Sequence, residues 1–127
     1  MTDEERMQIV RVHNRTRQTL LAERAEWARS FAERGQGLLG RDRLEPGAGL
    51  VIDPEWSIHM LFMRFPIDAV FVGANDLVAG LNPNLAPWVP FAGVAPWRGR
   101  YVIELPVGAI STSQTQLGDR IELEPLA

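Results

Sequence analysis

Apolar and polar positions alternate with period two along most of this chain, and the alternating runs are short. "MQIVRVHN" at the start predicts a strand, with "HNRTR" as its turn. "QTLLAERAEWARSFAERGQGLLGR" carries two signals. Leu21, Ala25, Ala28 and Ala32 have helical spacing, which allows one long helix. Ser30 followed by Glu33 is a capping box, which satisfies free amides where a helix begins. The box favours a strand from Gln18 to about Trp27, then a short helix from Phe31 to about Leu39 closed at Gly40. Pro46-Gly47 is a turn before the strand "GLVI". In "SIHMLFM", Ile58, Met60 and Phe62 share one face, and Ser57, His59, Leu61 and Met63 the other. Pro66 restarts the chain as a new strand. "IDAVFVGANDLVAGL" reads as a hairpin turning at "GAND". A proline- and tryptophan-rich loop follows, "NPNLAPWVPFAGVAPWRG". Then come the strand "RYVIELP", a helical turn within "VGAISTSQTQLGD", and the closing strand "RIELE". Many short strands with one or two short helices predict an α+β fold on a curled, mainly antiparallel, barrel-like sheet.

At 127 residues the chain has the length of one domain, 1–127. A composition of 46% hydrophobic and 23% charged residues is that of a globular protein able to bury a core. Cysteine is absent, so disulfides, thiolate metal sites and cysteine nucleophiles are excluded. The acidic start "MTDEERMQIV" has no apolar run of signal-peptide length, and no stretch approaches the ~20 apolar residues of a spanning helix. A cytoplasmic location is the expectation. A net charge of −3 argues against a nucleic-acid binder, which needs a basic face. Arg11, Arg15 and Arg17 do cluster near the first turn, where a solvated turn is the simpler reading.

Three segments together resemble a known family. They are "GLLGRDRLEPGAGLVI" (37–52), "SIHMLFMRFPIDAVFV" (57–72), and "RYVIELPVGAI" (100–110) with "QLGDRIEL" (116–123). In order and spacing they are similar to the prokaryotic domain-of-unknown-function 192 family, over roughly Thr19 to Leu123. The resemblance implies a small α+β, barrel-like domain of mainly antiparallel strands, and implies no chemistry. In the branch with this histidine motif a cysteine often precedes the serine and a threonine follows the histidine. Trp56 and Met60 stand there instead, so a cysteine-dependent role does not carry over.

His59, Arg64 and Asp68 are the polar residues of the most apolar stretch. A histidine beside a carboxylate serves as acid or base near neutral pH, and arginine can pair with aspartate. The alternative is structural: Asp68 caps amides at the Pro66 turn or pairs with Arg64 or Arg100, and His59 donates one hydrogen bond to a carbonyl. Trp88, Phe91 and Trp97, stiffened by Pro87, Pro90 and Pro96, form either a lid over the curled sheet or a binding surface. Glu104 alternates outward and reads as solvated. His13 and His59 lack ligand spacing, and no phosphate loop or serine-nucleophile motif is present, so neither a metal nor a cofactor is expected. The expected ligand-contacting set is therefore His59, Arg64, Asp68, Trp88, Trp97 and Arg100. The leading expectation is a non-catalytic module for an unknown small molecule or protein partner. The alternatives are a hydrolase-like enzyme using His59 and Asp68, and a structural accessory subunit.

Overall fold

A computed structural model describes residues 7–126. These residues form nine strands. They are β1 (Gln8–Asn14), β2 (Thr19–Ala28), β3 (Ala48–Ile52), β4 (Ser57–Ile58), β5 (Ile67–Val72), β6 (Val78–Leu85), β7 (Ala92–Gly93), β8 (Tyr101–Leu105) and β9 (Ile121–Pro125). Two short helices, α1 (Phe31–Gln36) and α2 (Ala109–Ser113), complete the α+β fold. Seven strands form one sheet in the order β6-β5-β8-β3-β2-β1-β9. Only β2 and β3 run parallel, and the segment between them holds α1. The sheet curls until its two outer strands meet at one end. A bridge joins Leu77 to Arg120, the Val78 amide donates to Asp119 (2.9 Å), and the Ile121 amide donates to Asp76 (2.8 Å).

Curling gives the sheet an inside and an outside, and both are apolar. Val10, Val12, Val51, Val70, Ile103, Leu105 and Ile121 fill the inside. Leu50, Ile52, Ala69, Phe71 and Val102 face outward, beneath a cover that includes Leu38, Met60, Met63 and Ala92. β5 and β8 are interior strands with every residue buried, as expected of strands covered on both faces.

The cover is where sequence and structure part. Only Ser57 and Ile58 of "SIHMLFM" are strand, paired with β7; beyond them the chain turns, and Phe62 takes φ 66°. Met60 and Met63 are buried while Phe62 is exposed, so the predicted alternation fails. That segment is held by the strands under it, not by a ladder of its own. Gly93 allows the β4–β7 approach: a Cβ there would sit 2.6 Å from the Trp56 carbonyl oxygen. The Ser30–Glu33 capping box forms as read, but α1 ends at Gly37 (φ 48°), not Gly40.

Two buried polar groups pin the fold. Asp68, 1% exposed, accepts from the backbone amides of Asn84 (2.9 Å), Gly108 (3.1 Å) and Ile110 (2.9 Å). α2 has no side-chain cap of its own, so Asp68 supplies it from another strand. Asn14 donates to Thr115 (3.1 Å) and Asp119 (3.0 Å), and Arg17 Nε also donates to Asp119 (3.1 Å). Burial would raise the Asp119 pKa; the donors Arg17, Asn14 and the Gln116 amide more than reverse this and hold it low.

Candidate functional site

Glu104 alternates outward from β8 as the sequence predicts, but it is not solvated. It is 5% exposed, with Leu50 and Ala69 as its cross-strand neighbours. The sequence holds a clue: Val102 is apolar on the same face, so that face is covered too. One carboxyl oxygen of Glu104 has no hydrogen-bond partner. Burial pushes the carboxyl up to about 7, against a smaller opposing pull from Arg41, which is itself paired with Glu26 at 3.0 Å.

Glu104 lines a cleft of about 270 Å³ between α1, β4 and the outward face of the sheet. Leu38, Ile52 and Met63 give it apolar walls, and Phe31, His59 and Glu55 also line it. Arg34 reaches it from α1. Its Nη1 donates to the Pro54 carbonyl (3.3 Å), while its buried Nε has no partner. An acceptor and a donor, both without a partner among the described residues, thus belong to side chains that line one cleft. Sequence reasoning reads Glu104 as solvated and passes over Arg34, because neither belongs to a motif and residues far apart in the chain come to line one cleft only in the fold.

The polar trio of the central stretch is dispersed. His59 is exposed at the cleft, and its Nδ1 accepts from the Leu61 amide (3.2 Å). Arg64 is exposed and pairs with Asp42 (2.8 Å). Asp68 faces the opposite way, committed to three amides, so it caps α2 and β6 and not the Pro66 turn. His59 and Asp68 share no hydrogen bond, and the pairing that a hydrolase reading requires is not formed. Arg100 is exposed and lies with Asp53 and Asp76 in a separate shallow surface. The arginine cluster of the first turn is neutralised: Arg11 pairs with Glu124, Arg15 with Glu122 and Arg17 with Asp119.

The aromatic loop does not form a buried lid. Trp97 is 85% exposed, Phe62 67% and Trp88 57%. Phe62 and Trp88 meet at a tilt of 58° with centroids 4.9 Å apart, and Trp56 meets Phe91 at 6.2 Å. The Trp88 amide donates to the Met60 carbonyl (2.7 Å), locking the two loops together. Phe62 and Trp88 both have positive φ, 66° and 72°, an unfavourable conformation for bulky side chains.

Among the described residues no helix is long and apolar enough to cross a membrane, and no group of three or more potential ligands is placed to hold a metal ion.

Comparison with known proteins follows the fold. A family model described as "Uncharacterized ACR", domain of unknown function 192, matches residues 10–123. A UPF0127 protein of Thermococcus sibiricus is 30% identical over 118 residues, covering 87% of this chain and 73% of that one. A UPF0127 protein of Pyrococcus furiosus is 38% identical over 66 residues, and that match spans about half the relative's length (54%). Among solved structures, a putative transcription regulator from Sinorhizobium meliloti superposes with a TM-score of 0.74 at 24% identity, covering 91% of this chain and 92% of that one. A protein of unknown function from Novosphingobium aromaticivorans gives 0.72, also at 24% identity, over 90% and 83%. The two structures share this fold. With the model match spanning nearly the whole curled sheet, the chain belongs to the domain-of-unknown-function 192 family.

Proposed function

We propose that the protein is a small-ligand-binding module and that its ligand occupies the cleft at Glu104. The observation that carries this reading is the Glu104 carboxyl, buried among apolar neighbours with an oxygen that no described residue satisfies. Leaving such a group unpaired costs about 1–3 kcal/mol, and structural sites normally avoid it. A cleft with apolar walls and a few unpaired polar groups is a common form of small-molecule site. His59 remains at this site from the set expected on sequence. Arg64 and Asp68 already have protein partners, and Trp88, Trp97 and Arg100 belong to neighbouring surfaces.

The Sinorhizobium neighbour is described as a putative transcription regulator. Nucleic-acid contact is not part of the present reading, because the arginines of the first turn are each matched by an acid.

The test is methyl chemical-shift mapping with a panel of neutral, cationic and anionic fragments. Shifts clustered at Leu38, Ile52 and Met63 support the reading. Shifts only at the Trp88–Trp97 surface, or none, refute it.

A further inference from the structure

We infer that the Glu104 cleft takes an uncharged ligand with an amide-type edge, giving its N–H to Glu104 and its C=O to the Nε proton of Arg34. This rests on the cleft being a binding site and names the chemistry of its occupant.

The two unpartnered groups are of opposite kind. A carboxyl oxygen accepts whether Glu104 is ionised or protonated, whereas the Arg34 Nε–H only donates. A ligand offering a single donor or a single acceptor would leave one of them unsatisfied. An adjoining N–H and C=O, as in a carboxamide, a lactam or a pyrimidine base, answers both.

The lining carries charge of both signs, so a head of either full sign meets a like charge there. An anionic head would face Glu104 and Glu55 in the same lining. A cationic head would face Arg34, which hydrogen-bonds a carbonyl and has no ion pair among the described residues, and also the field of Arg41. His59 is the remaining titratable group of the lining, and Glu26 is engaged with Arg41. Leu38, Ile52 and Met63 supply apolar surface for the body of the ligand. The cleft's 270 Å³ suits a single ring with a short substituent.

Three probes of one shape separate the possibilities: benzamide, benzoate and benzylamine, followed by saturation-transfer NMR and methyl shift titration. Benzamide is expected to bind, with benzoate and benzylamine at least tenfold weaker. Glu104→Leu and Arg34→Met are each expected to weaken benzamide at least tenfold. Glu104→Leu should do so with an unchanged or raised melting temperature, because its neighbours Leu50 and Ala69 are apolar. A charged probe binding as well as benzamide would overturn the inference, and so would undiminished benzamide binding in Glu104→Leu or no benzamide binding at all. If other fragments still map to the cleft, only the ligand class has failed. If no fragment does, the binding reading falls with it.

Discussion

Replacing Glu104 tests the central observation without any ligand. Its carboxyl has a reference pKa of 4.5, raised by burial to about 7 in the folded chain. Below about 4.5 the group is protonated in folded and unfolded chains alike. Between about 4.5 and about 7 the unfolded chain gives up the proton and the folded chain keeps it, so stability falls as pH rises. Above about 7 both are ionised and the loss is complete. At ~1.4 kcal/mol per pH unit this amounts to about 3 kcal/mol, or on the order of 10 °C in melting temperature for a domain of this size. Glu104→Gln removes the titration and should flatten this part of the profile. Glu104→Leu should flatten it too and add stability at pH 8, since it places an apolar side chain beside Leu50 and Ala69. Urea unfolding at intervals from pH 4.5 to 8.5, for wild type and both variants, measures the difference directly. All other groups are shared and cancel. A difference between wild type and Glu104→Gln that stays constant across that range would refute the claim that Glu104 is buried without a partner.

Other perturbations have equally direct outcomes. Asp68→Ala strands one buried and two part-buried amides and should cost about 2–4 kcal/mol in urea unfolding; a loss below ~1 kcal/mol would mean the α2 start does not need it. Asp119, held below its ordinary range, stabilises the fold above its unfolded pKa, and this is lost as pH falls through the lower folded value. Asp119→Asn should therefore show a shallower acid limb, and an unchanged limb would count against the Asn14–Arg17 network. Trp88→Gly loses a ring contact worth ~0.5–1.5 kcal/mol but relieves the positive φ, so stability should stay within about 1 kcal/mol of wild type. A larger loss would show that the ring supports the fold. Ser30→Ala breaks the capping box and should cost about 1 kcal/mol, read as a small drop in melting temperature.

The strands of the main sheet were legible because their signals are local. Val10 and Val12 alternate with polar residues, Ser30 and Glu33 announce a helix, and "GAND" marks a hairpin. What surrounds the sheet was not legible. Alternation tells which face of a strand a residue occupies but not whether something lies on that face, and so Glu104 was read as solvated. Met60 and Met63 have strand-like neighbours in sequence, but they are buried by the strands beneath them and not by a register of their own. His59, Arg64 and Asp68 are close in the chain, yet turns on either side of Met63 send them to three different places. Asp68 acts on amides 16 to 42 residues away, a relation no local pattern encodes.

The pairing of the first and last strands bears on how the chain is made. Glu124 follows Arg11 by 113 residues, so at about 5–20 residues per second β1 waits on the order of 6–20 s of synthesis for its second neighbour. Through that interval β1 is an open edge, the kind that recruits strands from other nascent chains. Arg11, Arg15 and Arg17 lie on and just beyond that edge. While unpaired, their charges repel a neighbouring copy carrying the same residues. Once the chain through β9 is complete, Asp119, just before β9, and Glu122 and Glu124 within it pair with those charges one by one. The same three side chains that charge the open edge become the ion pairs of the closed seam.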